Sequence, residues 1–241
     1  MPSILLENDE LLIIRESASI IIRNEIANIR YELQDGDYQI LLIADLDGKV
    51  EINDEGYIEN SQVEMSYLFL DRFDLDQHSH IDVGRNSSLN VSATYLGVAR
   101  KEIIYDLYNK EEDSVIEITN NVVCLEDAHF SLDCIGTIVK GAKRSKCHQK
   151  NRCLTIDNPK MARILPILNI DENDVEASHS LSSGTIDEDV LFYMNSRGLN
   201  RNEALILLLK SYLMPSDDHY EKFVDGKTIQ EMAIRKVDDL C

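Results

Sequence analysis

The chain of 241 residues has few basic side chains and no long apolar run. Its 24 Lys and Arg residues stand against 44 Asp and Glu residues, which gives a formal net charge of −20. Because nucleic-acid sites need clustered Lys and Arg, this balance argues against a nucleic-acid partner. No apolar segment reaches the ~18 residues of a membrane span, and the first ten residues do not resemble a secretory signal. We therefore expect a soluble, cytoplasmic protein that does not enter a membrane.

Cysteine is present, but not in a pattern typical of bridges or structural metal sites. The five cysteines are odd in number, show no CxxC spacing and follow no secretory signal, so neither a disulfide framework nor a zinc ribbon is indicated. We expect reduced thiols, which are buried and inert at Cys124 and Cys134. The sequence also lacks the GxxxxGKS/T, GxSxG and HExxH motifs, so we expect that the chain does not hydrolyse ATP itself, and a hydrolase function has little support.

Residues 11–175 have the pattern of many short β-strands. Ile, Val, Leu and Tyr alternate with polar residues, and Asp-Gly and Glu-Gly dipeptides supply turns between the early segments. The spacing suits a sandwich, a barrel or a parallel β-helix, and periodicity alone does not choose among them. We find no strict internal repeat, although strand solenoids often keep only alternating polarity.

The pattern changes after Gly184. Residues 178–184 are small and polar, which predicts an exposed loop around His179. Asp187 is a predicted helix N-cap and Gly198 a predicted stop, with a second helix over residues 200–213. Residues 218–240 resemble a third helix interrupted near Gly226. We place a β domain at residues 1–184 and a helical subdomain at residues 185–241.

Two histidines and a cysteine-containing segment are candidate metal or sulfur ligands. His78 and His80 are two residues apart and would share one face of a strand, although an exposed loop fits them equally well. In the second segment, the even separation of Cys147 and Cys153 places both thiols on one face if residues 146–156 are extended.

The second segment has two competing interpretations. Cys147, His148 and Cys153, together with His179, have donor atoms that suit iron or persulfide-derived sulfur. Alternatively, Cys153 packs as a small apolar residue, and Cys147 is an incidental exposed thiol. Spacing alone favours the second interpretation.

Several segments, in a fixed order, resemble the C-terminal core of SufB and SufD, components of the SUF machinery that assembles iron–sulfur clusters. The resemblance covers about residues 136–213. It is carried by Gly141-Ala142, QKNRCL at residues 149–154, PILNI at 166–170, Asp174-Val175, Ser178-His179, GTIDEDVLFYMNSRG at 184–198 and Glu203-Ala204.

The resemblance implies a right-handed parallel β-helix followed by a small helical subdomain. It also implies a non-catalytic scaffold that pairs with a SufB/SufD-like subunit, as a heterodimer or a homodimer, and docks a SufC-type ABC ATPase. We expect a transient iron–sulfur cluster at most, with none stably bound. The implied docking region comprises Leu191, Phe192, Tyr193, Arg197 and Gly198, although Leu191 and Phe192 have the alternative role of holding the hairpin to the β domain.

The chain departs from the family pattern at the positions that carry chemistry. Asn151 stands where SufB carries its scaffold cysteine and matches the QxNR pattern of SufD, while Cys153 follows two residues later. His179 matches a shared histidine, but Ser180 replaces the carboxylate of SufB or the glycine of SufD. The chain is thus a short, SufD-like sequence. Cys153 and His179 are the first candidates to contact sulfur or iron, with Cys147 and His148 next.

Two other functions stay open at this point. One is a stand-alone metal- or sulfur-binding β-helix protein that uses Cys147, His148, Cys153 and His179. The other is a purely structural interaction module in which these residues have no chemical role.

Overall fold

The computed structural model describes residues 1–156 and 159–213, together with the backbone of residues 223–224 and 227–228. Fifteen strands precede two helices, and a short strand pair follows. The strands are β1 (Ser3–Leu6), β2 (Leu11–Ile14), β3 (Ala18–Ile22), β4 (Ile26–Gln34), β5 (Asp37–Ala44), β6 (Gly48–Glu59), β7 (Gln62–Phe69), β8 (Phe73–Val83), β9 (Ser88–Gly97), β10 (Arg100–Asn109), β11 (Val115–Cys124), β12 (His129–Ile138), β13 (Lys146–Thr155), β14 (Met161–Ile170) and β15 (Glu176–Thr185). The remaining elements are helices α1 (Glu188–Ser196) and α2 (Arg201–Leu213) and strands β16 (Phe223–Val224) and β17 (Lys227–Thr228).

The first fifteen strands form two parallel sheets that the chain visits alternately. The odd-numbered strands form sheet A, in the order β1-β3-β5-β7-β9-β11-β13-β15, and the even-numbered strands form sheet B, from β2 to β14. Each strand thus pairs with the strand one coil earlier. This arrangement is a parallel β-helix, which confirms the fold implied by the resemblance and excludes the sandwich and the barrel.

Side-chain alternation explains how the two sheets enclose a core. Along β10, Lys101, Ile103, Tyr105 and Leu107 are buried, while the residues between them are more exposed. Successive side chains of a strand point to opposite faces, so every second residue of each coil enters the interior. The core is therefore one continuous apolar column along the axis of the solenoid.

A repeated corner turns the chain from sheet B into sheet A. In successive coils a residue with positive φ stands at this corner, and the next residue is a glycine or a buried serine. The serines stack, because the Ser61 N–H donates to Ser87 Oγ at 3.3 Å and the Ser114 N–H donates to Ser145 Oγ at 3.2 Å. The corner pairs are Asp35-Gly36, Asn60-Ser61, Asn86-Ser87, Asp113-Ser114 and Arg144-Ser145. This is the repeat that the sequence analysis did not find.

The predicted loop at residues 178–184 is wrong, because these residues belong to strand β15. Its backbone pairs with β13 along its whole length, from Lys146 opposite Glu176 to Thr155 opposite Thr185. Small polar residues argued against a packed strand, and β15 is indeed exposed at every position. A parallel neighbour supplies backbone hydrogen bonds whatever the side chains are, so pairing overrides composition here.

The two predicted helices are confirmed, with their caps. The Asp187 carboxylate accepts from the Asp189 N–H at 2.8 Å, and Gly198 ends the first helix region with a φ of +99°. Leu209 and Leu213 of α2 pack on the outer face of sheet A against Val123. No described helix is long and apolar enough to cross a membrane.

The third predicted helix, over residues 218–240, lies mainly outside the described residues. At residues 223–224 and 227–228 the backbone forms an antiparallel strand pair, so the helix prediction is wrong at those four positions. The remainder of that segment stays a prediction.

A polar network interrupts the apolar column. The Asp54 carboxylate accepts from the Tyr67 O–H and from the Ser79 O–H, each at 2.5 Å, and the Tyr95 O–H donates to Gln77 Oε1 at 3.0 Å. Burial raises the pKa of the Asp54 carboxyl to about 6, while the hydrogen bonds from Ser79 and Tyr67 act in the opposite direction. Asp54 is therefore an interior acid that titrates below but close to neutral pH.

We predict that Asp54 makes the protein less stable as the pH rises from 4 to 7. Its pKa is raised in the folded chain, so its stabilising effect is complete below about pH 4 and is lost as the pH rises through about 6. In urea unfolding, the free energy of unfolding of the unmodified protein should fall by about 2 kcal/mol more over this range than that of Asp54→Asn. Asp9→Asn, an exposed control, should match the unmodified protein. Equal pH dependence of Asp54→Asn and the unmodified protein would contradict the prediction.

Candidate functional site

The solenoid ends in a coil that nothing in the described part of the chain covers. Strands β14 and β15 are the last members of their sheets, so each is paired along one edge only. Leu181 is 45% exposed, and Leu165 and Ile170 of the same coil are also exposed. The coil therefore presents unpaired backbone groups beside apolar side chains, a combination that favours association with another strand.

The strand register shows which side chains form the last inner rows. Four buried residues of β13 point into the interior, and each lies beneath its partner in β15. The four pairs are Cys147 under Ala177, Gln149 under His179, Asn151 under Leu181 and Cys153 under Ser183. His179 is therefore the exposed end of an inner row, one coil above a buried glutamine.

The prediction that Cys147 and Cys153 share a face is confirmed, but both thiols are enclosed. Cys147 is buried, which excludes the alternative of an incidental exposed thiol, and Cys153 is only 5% exposed. Cys124 and Cys134 are buried free thiols, as expected. Cys241 lies outside the described residues.

The four described thiols differ in acidity. Burial raises the pKa of Cys134 and of Cys147 to about 12, so both are protonated thiols at neutral pH. A hydrogen bond between the other two thiols lowers the pKa of Cys153 and raises that of Cys124. The two thiols of this pair are thus coupled, and both lie inside the fold.

The structure does not bring the four candidate ligands into one site. His179 lies opposite Gln149 and Cys153 opposite Ser183, so the two are four residues apart along the strands, or about 13 Å. His148 points to the outer face, where its Nδ1 lies 2.8 Å from Ser178 Oγ. No group of three His, Cys, Asp or Glu residues within the described ranges is arranged to hold a metal ion. Contact of these residues with sulfur or iron stays a prediction.

His78 and His80 lie on the outer face of β8, so the exposed-loop alternative is wrong. His80 Nε2 is 3.5 Å from an Asp82 carboxylate oxygen, and Nδ1 is 3.5 Å from an Asp106 carboxylate oxygen. Its ring also packs on Tyr108, with centroids 5.2 Å apart. The imidazole is thus held between carboxylates and an aromatic ring.

The helical hairpin presents a second surface. Leu191 is buried, which assigns it to holding the hairpin in place, whereas Phe192 is 75% exposed and Tyr193 is 58% exposed. The Arg197 guanidinium lies 5.2 Å from the centre of the Tyr193 ring. Phe192 and Tyr193 thus give the hairpin two adjacent exposed aromatic side chains, a residue type that is enriched in protein–protein interfaces.

The sequence also matches a family of known proteins. A family model described as "SUF system FeS cluster assembly, SufBD core domain" matches residues 27–212, which include the open coil, α1 and all but the last residue of α2. The chain belongs to the SufBD family.

Individual relatives match parts of this SufBD chain. It is 35% identical over 98 residues to the iron–sulfur cluster assembly protein SufD of Bacillus subtilis, a match that covers 41% of this chain and 22% of that protein. It is 25% identical over 181 residues to a SufBD family protein of Pyrococcus horikoshii, covering 63% of this chain and 41% of the other. A SufBD family protein of Archaeoglobus fulgidus is 31% identical over 78 residues, covering 32% and 21%. Each of these matches thus covers less than half of the relative's own length.

The sequence analysis did not single out two residues that lie beneath the open coil. Gln149 and Gly136 face each other across the interior, and a Cβ added at Gly136 would lie 2.5 Å from Cys147 Sγ and 3.0 Å from Gln149 Nε2. A glycine inside a strand pattern is the signal for such a close approach. Gly136 therefore makes room for the side chains beneath the open coil.

We predict that Gly136→Ala destabilises the protein by about 1–3 kcal/mol, because the new methyl group overlaps Cys147 Sγ. In a Cys147→Ala background the same substitution should lower the free energy of unfolding by clearly less, because the sulfur atom that the methyl group overlaps is absent. Urea unfolding of the two single variants and the double variant measures this coupling. Cys134→Ala, a buried thiol that does not contact Gly136 closely, is the matched background and should leave the cost unchanged. An identical cost in all three backgrounds would show that the overlap with Cys147 does not matter.

Proposed function

We propose that this chain is a non-catalytic scaffold subunit of a SUF-type iron–sulfur cluster assembly complex. In this proposal it pairs through its open coil with a like β-helix subunit and docks a SufC-type ABC ATPase on its helical hairpin. The observation that carries the proposal is the SufBD core fold ending in an uncovered coil, with His179 at the end of an inner row. We propose that this assembly takes place in the cytoplasm, where cysteine thiols are kept reduced.

The edge of β15 supports pairing with another β-helix. Exposed edge strands are usually protected by Lys, by Pro or by a bulge. The sequence of β15, EASHSLSSGT, contains neither Lys nor Pro, and its residues pair one to one with those of β13, without a bulge. The exposed Leu181 continues an inner row, so a partner strand would bury it together with the open backbone groups. A second copy of this chain and an unlike SufBD subunit both have the required β-helix end.

Pairing also supplies what a cluster site in one copy lacks. His179 is a single exposed imidazole, whereas iron–sulfur clusters are held by several thiolate or imidazole ligands. A partner facing this coil adds donor atoms next to His179. In this proposal the cluster is cargo that is held transiently and passed on.

The hairpin supports docking of an ATPase. The chain has no phosphate-binding loop of its own, so nucleotide-driven work requires another protein. Phe192 and Tyr193 give the partner an aromatic surface, and Leu191 anchors that surface to the body of the hairpin. The Glu188 carboxylate accepts two hydrogen bonds from Arg201, at 2.9 and 3.0 Å, and so ties α1 to α2.

The stand-alone metal- or sulfur-binding alternative has less support. It needs Cys147, His148, Cys153 and His179 to act together, but these side chains point to different faces or lie in different layers. The proposed scaffold needs only His179 at the contact with its partner.

We predict that Phe192→Asp abolishes co-purification of a co-expressed SufC-type ATPase. The substitution places a charge at the centre of the exposed aromatic surface and should leave the thermal unfolding temperature unchanged, because Phe192 is largely exposed. Ile104→Asp, at an exposed apolar residue on the outer face of β10, is the matched control and should retain the ATPase. Unchanged ATPase recovery with Phe192→Asp would count against docking on the hairpin.

We predict that Leu181→Asp weakens pairing at the open coil by at least tenfold, because it places an unpaired charge in the buried contact. Sedimentation of the purified chain, alone and co-expressed with a SufBD partner, measures the dimer fraction. Ile104→Asp serves as the control here too. If the Leu181→Asp chain dimerises as strongly as the unmodified chain, the open coil is not the pairing surface.

A further inference from the structure

Gln149 has an amide that is half satisfied. Its side chain is buried, and its Nε2 donates to the carbonyl oxygen of Ile167 across the interior at 3.0 Å. Its Oε1 has no hydrogen-bond partner within the described residues. If the two amide atoms were exchanged, Oε1 would face the carbonyl oxygen of Ile167, and two acceptors would be in contact. The bond to Ile167 therefore places Nε2 towards that carbonyl and Oε1 away from it. Gln149 Oε1 is thus a buried acceptor without a donor among the described residues.

The row that contains Gln149 offers one such donor. The last three members of this row are Ile118, Gln149 and His179, in β11, β13 and β15. Ile118 is apolar, and His179 lies directly above Gln149 at the spacing of paired strands, about 4.8 Å. A glutamine side chain and an imidazole at this spacing are within hydrogen-bond reach. His179 is exposed, so its ring is free to turn towards the row.

We propose that Gln149 is a positioning residue for His179. Its Oε1 accepts the N–H of one ring nitrogen, which selects a single neutral tautomer and leaves the other nitrogen unprotonated and facing out of the solenoid. An outward lone pair is the state in which imidazole binds a metal ion, and a hydrogen bond on the opposite nitrogen is the usual way to orient such a ligand. A partner that covers the coil removes competing water from this bond. The metal-binding part rests on the proposed scaffold function, whereas the tautomer selection does not.

The first measurement is the tautomer of His179. Long-range ¹H–¹⁵N NMR of the full chain, labelled with ¹⁵N-histidine at a pH where imidazoles are neutral, reports it directly, and His179→Ala assigns the signal. We expect one tautomer in the unmodified chain and in Gln149→Glu, which keeps an acceptor. Gln149→Met, of similar size without an acceptor, should give a mixture, and Gln149→Leu is the second variant if the first does not fold.

Asn120→Leu is the matched control. Asn120 is equally buried and its Oδ1 also has no hydrogen-bond partner in the described part of the chain, but its Nδ2 donates to Asn151 Oδ1 and its row ends in Leu181 rather than in a histidine. Its loss should leave the His179 tautomer as in the unmodified chain. If Gln149→Met shows the same tautomer populations as the unmodified chain, or if Asn120→Leu changes them as much, the positioning role is overturned.

The second measurement separates this inference from the proposed function. In anaerobic titration with Fe²⁺, Gln149→Met should bind about tenfold more weakly than the unmodified chain, while Gln149→Glu and Asn120→Leu should not. If the tautomer changes as expected but even His179→Ala leaves Fe²⁺ binding unchanged, the positioning stands and the role of His179 in holding iron fails. Unchanged tautomers with a loss of Fe²⁺ binding in His179→Ala overturn the positioning and support the iron role.

Discussion

From β3 to β15, each strand of this protein is held by parallel pairing with the strand one coil earlier. The pairing of β11 with β13 places Gln149 over Ile118 and Cys153 over Val122, and the same register continues into β15. An inward-pointing side chain is buried when another coil lies above it, whatever its own polarity. Cys153 and Ser183 share a row, yet only the cysteine is enclosed, because β13 is covered and β15 is not.

The same constraint separates the chemistry of the interior from that of the end. Inside, an aspartate must be stabilised by hydroxyl donors, as Asp54 is by Tyr67 and Ser79, and thiols such as Cys134 and Cys147 stay protonated. At the end, polar side chains meet water and whatever molecule approaches. In this solenoid the last coil is therefore where inward-facing polar side chains, among them His179, are exposed.

Sequence patterns predicted much of the framework and little of the site. Alternation found the strands, and the capping residues Asp187 and Gly198 marked the first helix, because both signals are local. The loop predicted around His179 was wrong, since composition cannot report that a distant strand supplies hydrogen bonds. The corner repeat was missed because its marks, a left-handed residue and a small buried one, vary in identity from Asp35-Gly36 to Arg144-Ser145.

The sequence by itself determined the parity of the β13 side chains, and so that Cys147 and Cys153 share a face. It also determined, through the resemblance, the family and the general fold. Only the tertiary structure decided that both thiols are enclosed, that His148 points outward and that His179 stands over Gln149. The reason is that alternation along a strand has a fixed period of two residues, whereas the register between coils depends on corners of varying length that bring distant segments together.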